Sequence, residues 1–301
     1  MPRDYASNKT AIIRPNTQQL ETRAMSADTT VENATTAFKD MELKGWNQKA
    51  RDYGDYAGQI TRQAVEPLLD AVEVEAGSVF LDIATGPGYT AGAAQARGAI
   101  ATGVDFSAAM IGEASRNYPN ALFYEGDAEH LVFPNGFFDA AVCPFGLLHM
   151  ADPDKAISAA WRILKPGGKF ACTVWAPAEK HAFFKLVLGA ISRHGSMDVP
   201  LPEAPPFFRF SEPAESQRAL ETAGFSDISI SELTLHWQPT SGQELLDTIY
   251  KSTVRTAMLL EAQEEENREK IHSEIIAAVE TSENPISLPW PAVIAVATKP
   301  L

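Results

Sequence analysis

From residue 38 onward, short unbroken apolar runs alternate with longer stretches whose apolar residues recur every three or four positions. The runs Val79–Ile83, Ile100–Val104, Ala121–Tyr124, Phe138–Cys143 and Lys169–Trp175 predict buried strands. Between them, Tyr89–Arg97, Ala108–Asn117 and Asp152–Leu164 predict helices; the last is amphipathic and stops at the breaker Lys165-Pro166-Gly167-Gly168. Strand–helix alternation of this kind predicts an α/β domain with a parallel sheet. Residues 38–75 predict a helical lid of two or three pieces, broken near Gly54 and Gly58. Beyond the fifth strand come a helix at His181–Arg193, a proline-rich loop at 198–207, and a helix at Pro213–Ala223 stopped by Gly224. Ile228–Trp237 then alternates as a strand whose phase slips once near Glu232. Residues 241–281 read as helix around the acidic run Glu264–Glu266, and Ala292–Thr298 as a last strand. The organisation expected is a mobile tail over 1–37, the lid over 38–75, a core over 76–177, a cap insertion over 178–212, a core helix and strand over 213–237, a second cap insertion over 238–290, and the last strand over 291–301.

The first strand ends in the turn Ala84-Thr85-Gly86-Pro87-Gly88, with a helix behind it. Strand, glycine turn and helix make half of a βαβ nucleotide-binding unit. Glycine lets a ligand approach the backbone where a Cβ would collide. The turn is not G-x-G-x-x-G, and Pro87 removes an N–H that a phosphate would want; no Gly-Lys-Ser/Thr follows, so it is not a P-loop either. The second strand ends at Asp105, 23 residues after Asp82. An acid at that distance is placed to accept hydrogen bonds from vicinal ribose hydroxyls. The competing reading is a helix cap, which Ser107 could supply instead. Asp127 lies 22 residues further on, again at a strand end. An isolated Gly-Asp is usually a surface turn, but three acids ending three successive strands favour a shared site.

The spacing D-x-A-x-G-x-G resembles the first motif of class I S-adenosylmethionine (SAM)-dependent methyltransferases, most of which carry Gly where Ala84 stands. LDIATGPG, GVDFSAAM, YEGDAEHL, FPNGFFDAAV, LLHMADP and RILKPGGKF follow in the order found in the methyltransferases of ubiquinone and menaquinone biosynthesis and their small-molecule relatives, covering residues 80–175. The resemblance implies a Rossmann-like fold with a seven-stranded, mostly parallel sheet, an antiparallel last strand beside the fifth, and a helical cap. It implies SAM as cofactor and S-adenosylhomocysteine as product. Cofactor contacts carry over onto Tyr53 in the lid; Asp82, Ala84, Thr85, Gly86 and Gly88 in the first motif; Asp105, Phe106 and Met110 after the second strand; Asp127, Ala128 and Glu129 after the third; and Pro144 and Phe145 after the fourth. In that family the third acid accepts from the adenine N6 amine.

Composition narrows the partners. The net charge of −14, from 39 acidic and 25 basic residues, argues against a nucleic-acid backbone and an anionic membrane as partners. The fourth strand also lacks the Asn/Asp/Ser-Pro-Pro-Tyr/Phe of methyltransferases that act on bases in nucleic acid. No apolar run reaches the ~18–20 residues that span a bilayer. The two cysteines, Cys143 and Cys172, fall in apolar strands, as small core residues in a reducing, cytoplasmic compartment. No Cys/His/Asp cluster has metal spacing, so no metal is expected. A homo-oligomer through the N-terminal segment or the cap is compatible with the sequence.

Methyl transfer from a sulfonium is in-line displacement, so the protein supplies alignment and a dry site. A base is needed only when the acceptor must lose a proton. His149, His181, Glu179 and His236 are the candidates, His149 being best placed just beyond the fourth strand, and each histidine is set against an ordinary packing role. Tyr56, His149, Trp175, His181 and Phe207 are candidates to meet the acceptor. The expected activity is transfer to an O, N or C atom of a small, fairly apolar metabolite such as a phenol, quinone precursor or amine. The alternatives are methylation coupled to cyclisation or rearrangement of the product, and a non-catalytic SAM-binding regulator.

Overall fold

The computed structural model describes residues 34–280 and 288–301. Most of the expected tail, residues 1–33, lies outside the described residues; 34–37, counted with that tail, instead open helix α1 (34–49). The chain breaks near Gly54 as expected, then runs through α2 (Gly58–Thr61) and α3 (Val65–Ala71). The core follows: β1 (Val79–Ile83), α4 (Tyr89–Ala96), β2 (Ile100–Asp105), α5 (Ala108–Asn117), β3 (Leu122–Glu125), β4 (Phe138–Pro144), α6 (Pro153–Ile163) and β5 (Leu164–Trp175). Next come α7 (Ala182–His194), α8 (Pro213–Ala223), β6 (Ser226–Trp237), α9 (Gly242–Ser252), α10 (Arg255–Glu261), α11 (Glu265–Glu280) and β7 (Leu288–Thr298).

The seven strands form one sheet in the order β3-β2-β1-β4-β5-β7-β6. The first five pair in parallel, and β7 inserts antiparallel between β5 and β6. Helices cover both faces at the centre, so β1 and β4 are buried almost throughout, while edge strand β3 is largely exposed. The order reverses between β1 and β4, which opens a crevice at the carboxyl ends of the strands.

Two local readings change. The phase slip in β6 is not a bulge, because pairing with β7 is continuous from Ser229 to Trp237. Ile230 therefore faces one side of the sheet, and Leu233, Leu235 and Trp237 the other. The 241–281 region is three helices, and exposed Glu265 and Glu266 occupy the first turn of α11, where carboxylates meet the positive end of the helix dipole. Helix α11 packs on both α7 and α9, so these three helices form one layer. Among the described residues no helix is long and apolar enough to cross a membrane.

Candidate active site

The turn after β1 is held from below and from the side. Asp82 is fully buried; its Oδ2 accepts from Thr85 Oγ1 at 2.6 Å and from Ala91 N at 3.0 Å. Asp105 accepts from Gly86 N and from Ser107 N, each at 2.9 Å, so the acid ending β2 also fixes the glycine turn. Ser107 caps α5 by accepting from Met110 N, so the cap of this segment is the Ser107 hydroxyl and not Asp105. Burial pushes the Asp82 carboxyl up to about 7 and Asp105 up to about 6, against the N–H and O–H groups that lower them. Gly86 (φ +52°) and Gly88 (φ +86°) take left-handed conformations for different reasons. A Cβ at Gly88 would lie 2.9 Å from the Phe123 ring, whereas a Cβ at Gly86 would meet nothing within 4 Å. Gly88 is required by packing, and Gly86 leaves room for a ligand.

At the end of β3, Asp127 Oδ1 accepts from Glu129 N, and Oδ2 receives the Lys39 ammonium at 2.9 Å. The same ammonium lies 2.7 Å from Glu129, whose other oxygen accepts from Ala151 N and Asp152 N. Burial raises the Asp127 carboxyl, but Lys39 and the bonds from Glu129 N and His130 outweigh it and hold it below the usual range. Asp127, Glu129 and His130 could gather round a cation; the cation that lies against both carboxylates is Lys39.

Beyond β4 the backbone is strained. Phe145 has φ +53°, held by N–H bonds to the Thr173 carbonyl and hydroxyl and by stacking on Trp175 at 4.2 Å. Ala84 has φ +54°. Such conformations cost non-glycine residues on the order of 1–2 kcal/mol, and these two directly follow the paired strands β1 and β4. Ala84→Gly is therefore expected to stabilise the protein by roughly 0.5–1 kcal/mol, the strain relieved being offset in part by the lost methyl contact. Thermal melting checks this: a rise of about 1–3 °C is expected, and a fall would show that the methyl's packing outweighs the strain.

These parts surround a cavity of about 330 Å³. Of the expected cofactor contacts, Tyr53, Ala84, Thr85, Gly86, Asp105, Phe106, Met110, Asp127, Ala128, Glu129, Pro144 and Phe145 line it. Asp82 and Gly88 do not: they lie behind the turn and shape it. Lys39, Leu43 and Trp46, spaced to share one face of α1, close the cavity from the lid side. Helix α1 docks there through Asn47, whose Oδ1 accepts from Ser107 Oγ at 2.8 Å.

A smaller adjoining cavity of about 60 Å³ is walled by aromatic rings of the core and cap, Trp175, Phe184, Phe207 and Trp290 among them. His149, Trp46 and Tyr53 border both cavities. His181 lies elsewhere: fully buried, it packs edge-on to Trp175, Phe184 and Trp290 behind this wall, and burial lowers its imidazole to about 4. Tyr56 borders neither cavity, and its hydroxyl accepts from Lys251 Nζ at 2.7 Å. The residue that sequence reading passed over is Glu42. Fully buried, it accepts from Trp46 Nε1 at 3.0 Å and Arg255 Nε at 3.0 Å, and its Oε2 pairs with His149 Nδ1 at 3.1 Å.

The donor set suits SAM better than a dinucleotide. The open space over Gly86, the half-used lone pairs of Asp105, and a turn without a phosphate cradle fit an adenosyl group joined to an amino acid. A protein-family profile described as a methyltransferase domain matches residues 81–172. The demethylmenaquinone methyltransferase of Thermus thermophilus is 35% identical over 182 residues, covering 55% of this chain and 80% of that protein. Its counterpart in Paenarthrobacter aurescens is 28% identical over 188 residues, covering 58% and 72%. In fold, the YcgJ protein from Bacillus subtilis superimposes with a TM-score of 0.53 at 21% identity, over 79% of this chain and 99% of that one. The chain belongs to the class I SAM-dependent methyltransferases, enzymes with SAM as cofactor, and within them it is similar to the menaquinone-biosynthesis type.

Proposed function

We propose that the enzyme transfers the methyl group of SAM to a ring carbon or hydroxyl oxygen of a small, fairly apolar acceptor of the phenol or quinol class, with His149 as base. The observation that carries this reading is the position of His149, the one ionisable imidazole bordering both the larger cavity and the aromatic one among the described residues. In this reading SAM lies in the larger cavity. Its amino-acid part meets Ala84–Gly86, Asp105 accepts from the ribose hydroxyls, and the adenine lies by Phe106, Met110 and Asp127–Ala128. When bound, SAM supplies a methyl group on a cationic sulfur. Trp175, Phe207 and His149 meet the acceptor in the smaller cavity; Tyr56 and His181 support the cap rather than the reaction. The lid over 38–75 and the cap insertions 178–212 and 238–290 exclude water from the junction.

The aromatic wall and the relatives' names, which specify demethylmenaquinone, support a planar acceptor. Incubation with methyl-labelled SAM and a panel of phenols, quinols and amines tests this. Label is expected in phenols or quinols, with a mass gain of one CH₂. Label confined to amines would replace the acceptor class. A mass change other than one CH₂ would point to coupled cyclisation or rearrangement.

A further inference from the structure

Glu42 lines neither cavity and has no solvent contact, yet it is a carboxylate at full burial. Unpaired charges are not kept in such places without compensation. Its Oε1 accepts from Arg255 Nε at 3.0 Å, and its Oε2 meets Trp46 Nε1 at 3.0 Å and His149 Nδ1 at 3.1 Å. The guanidinium comes from the first residue of α10 in the cap, lies over the rings of Phe38 (4.6 Å) and Phe207 (5.4 Å), and donates to the Pro205 carbonyl. Lid, cap and the turn after β4 therefore converge on one carboxylate. Burial raises this carboxyl, but His149 and Arg255 outweigh it and hold it below the usual range, and the Arg255 guanidinium keeps its charge whichever form the imidazole takes.

An ionised carboxylate only accepts, so the hydrogen between Glu42 and His149 sits on Nδ1. That leaves Nε2 with its lone pair, while the ring's hydrogen bond to Glu42 is made through Nδ1. We propose that Glu42 is the positioning residue of this methyltransferase: it fixes the His149 tautomer that can take a proton, and Arg255 of the cap fixes Glu42. This rests on the reading of His149 as base. As the acceptor attacks, its hydroxyl proton passes to Nε2. The new bond to the methyl carbon forms from the acceptor's electron pair, and the pair of the breaking C–S bond stays on sulfur, which becomes a neutral thioether. The imidazolium left on His149 faces the Glu42 carboxylate until water takes the proton.

The test uses the full-length enzyme and two variants, Glu42→Gln and the double change Glu42→Gln with Arg255→Gln, which avoids leaving the guanidinium without a counter-charge. One amide carbonyl cannot accept from Trp46, His149 and Arg255 together. Nitrogen-15 NMR of the histidine ring reads the tautomer with no acceptor present: wild type is expected to show His149 as the Nδ1–H form, and both variants a mixture or the reverse. With a labelled acceptor, kcat is expected to fall at least about tenfold while the affinity for S-adenosylhomocysteine stays within about threefold. In a His149→Asn background the Glu42→Gln change should alter kcat less than about twofold. An unchanged tautomer, or the same fold-loss in that background, would reduce Glu42 to a packing bridge. Failure of wild type to methylate phenols or quinols would instead overturn the acceptor reading, and the NMR result would still decide the role of Glu42.

Discussion

Replacing Asp105 by alanine is expected to weaken binding of SAM and S-adenosylhomocysteine at least tenfold, and by roughly a hundredfold if both ribose hydroxyls bond to it. Charge-assisted hydrogen bonds contribute about 1.5–3 kcal/mol each, and the site is dry enough for that range to apply. The carboxylate also holds Gly86 N at 2.9 Å, so the variant loosens the turn as well as losing the acceptor. Asp105→Asn separates the two effects, since its carbonyl can keep one N–H. The pH dependence supplies an independent check. Burial holds the free carboxyl up to about 6, so the unliganded enzyme carries a proton there in weak acid. Ribose hydroxyls donate to the ionised form, so binding must release that proton. Affinity should therefore be level above pH ~7 and fall by up to about tenfold per unit below ~6. Asp82, pushed up to about 7 behind the turn, adds a shallower dependence through the same loop. Asp105→Asn should remove the component near pH 6 and leave the Asp82 component. Calorimetry between pH 5 and 7.5 reads both. Undiminished affinity in Asp105→Ala would remove the ribose assignment and leave Asp105 as a brace.

The core was legible because its signals are local. Buried parallel strands read as unbroken apolar runs, and Asp105, Asp127 and Pro144 fall at strand ends that the sheet brings to one edge. What the spacing could not distinguish was a residue in the cavity from one just behind it. Asp82 and Gly88 belong to the same motif as Ala84 and Gly86 but point into the protein, since a turn this tight must be packed from below. The acceptor side was less legible still. His181 is a candidate base by residue type, yet the chain after β5 folds it behind Trp175 and Trp290, a tertiary contact that no periodicity carries. Glu42 did leave a trace. Phe38, Glu42 and Trp46 are spaced to lie along one face of α1, so a charge interrupts an apolar stripe. That pattern announces a buried carboxylate; its partners, 107 and 213 residues away, become visible only in the fold.

Removing the imidazole should give the largest kinetic effect in the protein. His149→Ala is expected to lower kcat for a phenolic or quinol acceptor by about 10²–10⁴-fold, the range general-base catalysis contributes. The SAM leaving group is a neutral thioether, so the demand on the protein falls on the nucleophile, and a hydroxyl that keeps its proton is a poor one. Two structural side effects must be separated from the loss of the base. The ring packs edge-on to Trp46 at 4.8 Å and to Phe207 at 6.2 Å, and its removal deprives buried Glu42 of a partner. His149→Asn answers both in part, since its amide can donate to Glu42 while offering no basic nitrogen. If the alanine and asparagine variants lose kcat alike and hold S-adenosylhomocysteine within a few-fold of wild type, the loss belongs to proton transfer. Added imidazole should then restore part of the alanine variant's rate, and the restored rate should rise with pH as the added base deprotonates. An asparagine variant with near-normal kcat would show instead that the ring only shapes the wall, and that the acceptor reaches the methyl group already deprotonated or needs no deprotonation.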